Sequence, residues 1–355
     1  MKVLALNSSP RAQDQSKTEL MLSHLVRGMT EAGAQVEIVH LREKKINVCC
    51  GCFTCWTKTP GVCIHKDDMR AELFDKYRAA ELVVYASPLY HYMVNATMKA
   101  FIERTLPMIQ PFFVPEGDRL VHPVRYPIPK AVMLSVAGFH EEEIFGPLST
   151  WAKYLFGERL VAEIYRPGAE SIGASRHGRH RDERILAATV QAGRELIATG
   201  RISVATLQGV KEQSVKDLKT WSTVGNLMWQ TCIAEGVTPK IFKERGLVPR
   251  PDSIDSFMLM MAIAFNAKAA GDTQACIQFA FTGEKTGECY FDIANGAIQG
   301  HLGCAEHPSM RIEAPFELWM DILTGKADGQ KLFMEQKYTV TGDFDLLMRF
   351  DQLFG

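Results

Sequence analysis

Short apolar runs alternate with segments of helical period through roughly the first 200 residues of this chain, and that alternation narrows its fold more than any other feature. Residues 2–6, 35–41, 81–86, 130–137 and 159–165 read as strands. Residues 17–30 carry Leu20, Leu22, Leu25, Val26 and Met29 at helical spacing. A second helix follows Asp67 or Asp68 through Tyr77, and residues 96–109 and 182–199 read as further helices. Successive parallel strands need a long crossover, usually a helix, so this order predicts a doubly wound α/β domain with helices on both faces of a parallel sheet. Ligands of such sheets bind beyond the carboxyl ends of the strands. The loops opening at Asn7, Ser87 and Gly138 are therefore where chemistry is expected. Residues 111–129, rich in proline, read as a long excursion without an element.

The order changes after residue 203. Residues 204–250 read as helical and carry Trp221 and Trp229, and the PRPD run at 249–252 marks a boundary. Beyond it come an apolar helix (255–270), strand-like runs at 275–282, 288–293, 297–302 and 310–314, a helix from Pro315, a strand at 337–341 and a last helix from Asp343. Asn295–Gly296 between two of these runs is a hairpin signal. The expected organisation is an α/β domain at 1–203, a helical linker at 204–250 and a smaller α+β domain at 251–355.

The formal net charge of −1 gives no global reason to expect nucleic acid or an acidic membrane surface as partner. The longest apolar run, 257–265, is about half of a membrane span. The start, MKVLALNSSPR, is too short for a signal-peptide core. A soluble cytoplasmic protein with reduced thiols is the expectation.

Five of the nine cysteines fall between residues 49 and 63. Cys49, Cys52, Cys55 and Cys63 follow C-x2-C-x2-C-x7-C, with Cys50 between the first two. Four thiolates at such spacing meet the ligand count of a [4Fe–4S] cluster. Zinc, redox-active CxxC pairs and a loop that binds nothing stay open beside it, although structural zinc sites more often use two separated CxxC pairs.

The loop after the first strand reads N-S-S-P-R-x4-S-K-T. Ser9, Ser16 and Thr18 offer hydroxyl donors there, and Arg11 and Lys17 positive charge, at the start of a helix whose first N–H groups lack partners. The same residues also suit an ordinary polar loop with Ser16 as helix cap. Neither GxGxxG nor GxxxxGK[ST] occurs here, which argues against a dinucleotide fingerprint or an ATP loop.

Taken together with SPLYHYMVNATMKAFIER (87–104) and SVAGF (135–139), this loop resembles the flavodoxin-like NAD(P)H-dependent FMN reductase family over about residues 1–200. The resemblance implies a flavodoxin-like fold with FMN as cofactor and NAD(P)H as donor. It places Ser87, Pro88, Leu89 and Tyr90 around the isoalloxazine, Met93 nearby, and Gly138 in the next loop toward the ring. The cysteine motif is similar to that of the iron–sulfur flavoproteins, which implies a cluster on Cys49, Cys52, Cys55 and Cys63 close to the flavin. Relatives of this kind imply a homodimer. Hydride transfer to a flavin obliges no side chain to act as acid or base, so no catalytic residue is named. His91 and His140 lie in flavin-side loops, whereas His177 and His180, in SRHGRHRDE, read as part of a solvated loop.

Residues 250–355 resemble the sterol-carrier-protein type-2 domain through FMLMMAIAFNAKAA, IQFAFTG, CYFDIANGAIQGHLG and WMDILTGKADGQKLFMEQKYTVTGDFDLLMRF. That resemblance implies an apolar tunnel, for which Met258, Met260, Met261, Phe265, Phe279 and Phe281 are suited linings, or else plain core. The expected function is an FMN-dependent NAD(P)H oxidoreductase passing electrons to a small acceptor or a cluster, with a C-terminal domain for an apolar ligand. The other reading is a lipid carrier whose flavodoxin-like domain is not catalytic.

Overall fold

The computed structural model describes residues 1–12, 15–173, 179–213 and 217–354. Contacts divide the chain into two compact units, Met1–Lys216 and Asp217–Gly355.

The first unit is built on β1 (Lys2–Asn7), β2 (Gln35–His40), β3 (Leu82–Pro88), β6 (Lys130–Val136) and β7 (Leu160–Arg166). They form a parallel sheet in the order β2-β1-β3-β6-β7. This is the doubly wound order whose switch point lies between β1 and β3. Every residue of β3 is buried, as expected of a strand covered on both faces. Alternation sorts the side chains. Leu4, Leu6, Val83, Tyr85 and Met133 face one apolar cluster, and Val3, Ala5, Val84, Ala86 and Leu134 face the other.

On the second face lie α1 (Lys17–Glu31), α5 (Arg179–Thr199) and α6 (Val204–Val210), through Met21, Leu25, Ile185, Leu196 and Val210. On the first face lie α2 (Phe74–Ala79), α3 (Ala96–Glu103) and α4 (Gly146–Phe156), through Tyr77, Met98, Phe101, Leu148 and Ala152. Helices α1 and α5 approach backbone to backbone. A Cβ on Gly28 would sit 1.9 Å from Val190 O, and one on Gly193 would sit 2.2 Å from Leu25 O.

Several expectations are corrected here. The proline-rich 111–129 segment contains a hairpin, β4 (Val114–Glu116) with β5 (Arg119–Val121), turning at Gly117 (φ +57°). Three-residue strands are too short to show a period. Helix α4 was not expected, because its opening Gly146-Pro147 reads as a loop although Leu148, Ala152 and Phe156 share a face. Helix α3 stops at Glu103, short of residue 109, and a 3-10 turn at Leu106–Met108 follows. The 204–250 segment is divided: α6 packs on α5 in the first unit, while helices Leu218–Glu235 and Pro239–Glu244 belong to the second.

The second unit is a sheet in the order β10-β9-β8-β11-β12, from β8 (Ala275–Thr282), β9 (Gly287–Ala294), β10 (Ala297–Leu302), β11 (Met310–Pro315) and β12 (Thr339–Gly342). Strands β8 and β11 are parallel, and the other pairs are antiparallel. The expected hairpin forms between β9 and β10, with Asn295 and Gly296 both left-handed (φ +53° and +69°). Helices Ile254–Ala264, Phe316–Leu323 and Phe350–Phe354 cover one face. The helix expected over 255–270 breaks at Phe265, because the Asn266 side chain caps a separate turn, Ala267–Ala270. Met261, Phe265, Phe279 and Phe281 are buried in the core with Phe257 and Phe291, and Met258 packs at its edge. Phe257 meets Phe279 and Phe281 edge-on at 5.0 and 5.1 Å. No described helix is long and apolar enough to cross a membrane.

Candidate functional site

Three loops leave the carboxyl ends of the adjacent strands β1, β3 and β6. In the first, Asn7 is braced from behind. Its Nδ2 lies 3.3 Å from Glu19 Oε2 and 3.1 Å from His40 Nδ1, and Arg42 holds Glu19 at 3.0 Å. Asn7 Oδ1 accepts the Ser9 N–H (3.0 Å). Ser16 caps α1, accepting the Glu19 N–H at 3.0 Å and donating to Ser9 Oγ at 2.8 Å. Ser8, Ser9, Ser16 and Thr18 are all buried. The two cations expected on a phosphate are engaged elsewhere in this structure. Arg11 pairs with Glu170 at 3.0 Å, and Lys17 Nζ donates to Ile172 O at 2.7 Å.

In the second loop, the buried Ser87 accepts the Asn95 N–H and donates to Pro88 O, both at 3.0 Å. Leu89 N–H donates to Val136 O (2.9 Å), joining this loop to β6. Tyr90 and Met93 exchange two hydrogen bonds of 3.0 Å around His91 and Tyr92, both left-handed (φ +47° and +64°). Two consecutive non-glycine residues in that region are uncommon and store strain, which concentrates at ligand sites. The turn presents Tyr90 and Tyr92, 44% and 57% exposed. In the third loop Gly138 is followed by Phe139, 70% exposed. Phe139 O accepts the Gly168 N–H (2.6 Å), and His140 is buried against Gly168, leaving no room there for a Cβ. Burial, then the Arg166 charge, lowers the His140 pKa.

Asn95 joins the first two loops. Its Nδ2 donates to Ser8 O at 2.6 Å, and its Oδ1 caps α3 by accepting the Met98 N–H at 3.2 Å. The three loops thus converge at the switch point, where the crevice of such a sheet lies; the first brings buried hydroxyls and the N-terminus of the fifteen-residue α1, and the other two bring exposed rings. That donor set suits a phosphate monoester carried on a planar aromatic system, and FMN is such a molecule.

The cysteine loop lies between β2 and α2. All of its thiols are free. Cys55 is buried, Cys49 and Cys63 are half-buried, and Cys50 and Cys52 are exposed. Burial, then the charge of Cys63, raises the Cys55 pKa, with smaller contributions from Cys49 and Cys52. Hydrogen bonds from Thr54 lower that of Cys52. The donor chemistry is that of a cluster site. The spacing is not, since among the described residues no three His, Cys, Asp or Glu side chains are gathered closely enough to hold a metal ion.

Residues 1–113 match the family model of NADPH-dependent FMN reductase. Residues 265–355 match that of the SCP-2 sterol transfer family. The chain is 40% identical over 107 residues to an iron-sulfur flavoprotein of Archaeoglobus fulgidus, covering 30% of this chain and 46% of that protein. The chain spans about half the length of the curated iron-sulfur flavoproteins it matches. Among solved structures it is similar to an NAD(P)H:quinone oxidoreductase from Methanothermobacter marburgensis (19% identity, TM-score 0.42, 55% of this chain and 96% of that one). It is also similar to sterol carrier protein 2 from Yarrowia lipolytica (18% identity, TM-score 0.26, 29% of this chain and 92% of that one).

In the first unit, the residues expected from sequence fall into two sets. Ser9 and Ser16 lie in the first loop and Thr18 at the start of α1; Ser87 and Pro88 end β3, Leu89, Tyr90 and Met93 lie in the loop after it, and Gly138 lies in the loop after β6. Cys49, Cys52, Cys55 and Cys63 lie in the separate loop after β2. Asn95 and Phe139 were missed as site residues. An Asn directly before a helical run was the available signal for the first, and nothing in the sequence marked the exposure of the second. His180 is exposed, 3.3 Å from Glu183, and His177 lies outside the described residues.

Proposed function

We propose that the first unit is an FMN-dependent NAD(P)H oxidoreductase and that the second binds an apolar ligand. The observation that carries the first part is the convergence of three loops at the β1/β3 switch point, with buried hydroxyls in the first and exposed Tyr90, Tyr92 and Phe139 in the other two. The family match over residues 1–113 supports it. Ser9, Ser16 and Thr18, with the N-terminus of α1, bind the phosphate. Arg11 reaches it by leaving its exposed ion pair with Glu170, a weak hold, and Lys17 by turning from the Ile172 carbonyl. Ser87, Pro88 and Leu89 form the floor, Tyr90, Met93 and Gly138 the sides, and the rings exclude water from the reacting face. When bound, FMN supplies a ring that takes a hydride from NAD(P)H and returns electrons to an acceptor. The protein holds and orients, and no side chain here is assigned an acid or base role.

The cysteine loop is read as the seat of an iron–sulfur cluster. Its supports are the C-x2-C-x2-C-x7-C order of Cys49, Cys52, Cys55 and Cys63 along the chain and the relatives named iron-sulfur flavoproteins. Binding of an apolar ligand by the second unit is supported by its match to the SCP-2 family. A homodimer and a cytoplasmic location complete the reading.

Anaerobically purified protein tests these parts together. Expected are one FMN per chain, oxidation of NADH or NADPH with an artificial acceptor, and iron and sulfide in equal amounts. Absence of flavin after reconstitution would sink the oxidoreductase reading and leave a carrier. Flavin without iron would remove the cluster alone.

A further inference from the structure

We infer that Arg104 is the positioning residue of the cysteine loop: it closes the neck of residues 47–67, holds Cys63 in place, and through α3 keeps the loop in one frame with the crevice. The Arg104 side chain is 1% exposed and forks onto Asp67, Nη1 to Oδ2 at 2.7 Å and Nη2 to Oδ1 at 3.0 Å. Nη1 also donates to Asn47 O at 2.7 Å. Asp67 in turn accepts the Asn47 N–H at 2.8 Å. Asn47 and Asp67 bracket every cysteine of the motif, so one guanidinium ties both ends of the loop. A second rung lies beside it, with Lys45 N–H donating to Asp68 Oδ2 at 2.7 Å and Asp68 N–H to Lys45 O at 3.1 Å. Loops closed at the neck in this way are compact units that move as one body.

Arg104 Nε is buried without a hydrogen-bond partner. Arg104 and Cys63 line one cavity of about 200 Å³, with Met69, Phe74, Pro107 and Tyr126. The Cys63 thiol thus shares that wall with the guanidinium, where a spare Arg104 donor can fix its orientation. Lysine cannot replace this arrangement, since it lacks the fork that serves Asp67, Asn47 and Cys63 at once.

Arg104 is also the C-cap of α3, and Asn95 is its N-cap. Asn95 holds Ser8 O and Ser87 Oγ, the two loops of the crevice. A helix of eight residues is about 12 Å long and stiff. It carries the crevice loops at one end and the cysteine loop at the other. This last link rests on the crevice being the flavin site; the closure of the loop does not.

The test uses the full-length chain with Arg104→Met, Arg104→Lys and Asp67→Asn, and reads local opening against the rest of the molecule. Lys58 is an exposed trypsin site inside the loop, while Lys130 in β6 and Lys153 in α4 report the sheet and a helix that covers it. In Arg104→Met, native-state cleavage after Lys58 and alkylation of Cys63 relative to Cys52 should each rise by roughly tenfold or more. Arg104→Lys and Asp67→Asn should show smaller increases, while FMN affinity, read by flavin fluorescence, stays within about twofold of wild type because the crevice keeps its own bonds. Unchanged Lys58 cleavage in Arg104→Met would overturn the assignment. So would cleavage at Lys130 and Lys153 rising in step with Lys58 in all three variants, the signature of an ordinary core residue. A wild-type chain that binds no FMN removes the flavin reading, while the trypsin and alkylation readouts still decide the role of Arg104.

Discussion

Asn95 shows how one short side chain serves two structures at once. It caps α3 and ties the first two loops of the crevice. Asn95→Ala removes both roles and should cost about 2 kcal/mol in urea unfolding. Asn95→Asp keeps the cap but loses the donor to Ser8 O. Weaker FMN binding in both variants, with only the alanine strongly destabilised, is the expected split. Equal FMN affinity in all three proteins would deny Asn95 its part in the crevice. Asp67 is legible through acid. Burial pushes its carboxyl up, but the hydrogen bonds from Arg104 and the Asn47 N–H outweigh burial and hold its pKa at about 2. A depressed carboxylate pKa contributes stability that is present above the unfolded-state value and lost as pH falls through the folded one. Asp67 should therefore contribute about 2 kcal/mol at neutral pH, disappearing between about pH 4 and pH 2. Urea midpoints of wild type and Asp67→Asn, compared at pH 6 and pH 2.5, should converge at the lower pH. A constant gap would contradict the pairing.

At the scale of elements, the contact between α1 and α5 leaves no atom of slack. Gly28→Ala should destabilise the first unit by about 2 kcal/mol or more, because backbone and not a flexible side chain meets the new methyl. Gly33→Ala, a change in open space at φ +89°, should cost about 1 kcal/mol through strain alone. Thermal melts that rank the two the other way would mean that the helices can separate. The five parallel strands and their helices were legible because burial on both faces leaves long apolar runs between polar loops. The β4/β5 hairpin and α4 were not. The first is too short to show a period, and the second starts on residues that also start loops. Tyr90 and Met93 could be read as a ring-side loop, but the left-handed pair His91–Tyr92 could not, since positive φ is uncommon for any non-glycine residue and more so for two in a row.

For the whole molecule, the two units hold separate apolar cores. One lies on both faces of the β1–β3–β6 sheet, and the other lies under β8, β9 and β11. Separate cores predict separate unfolding transitions, so a single two-state fit should fail. FMN at about 100 times its dissociation constant should raise the first unit's transition by about 2.7 kcal/mol and leave the other in place. An apolar ligand of the second unit should do the reverse. One calorimetric transition that both ligands shift equally would refute independent units.

By itself the sequence determined what repeats or lies close along the chain: the strand and helix periods, the hydroxyl-rich loop after β1, the spacing of the four cysteines and the Asn-Gly hairpin of the second unit. These are local facts, set by side-chain type at short range. Only the tertiary structure decided which distant residues meet. Strand order brought the loops of β1, β3 and β6 together, Asn95 bound two of them, and Arg104 reached back to Asn47 and Asp67. It also turned Arg11 and Lys17 toward Glu170 and Ile172, residues more than a hundred positions away. Such pairings depend on crossovers and packing that fix direction in space, and no local pattern in the chain encodes them.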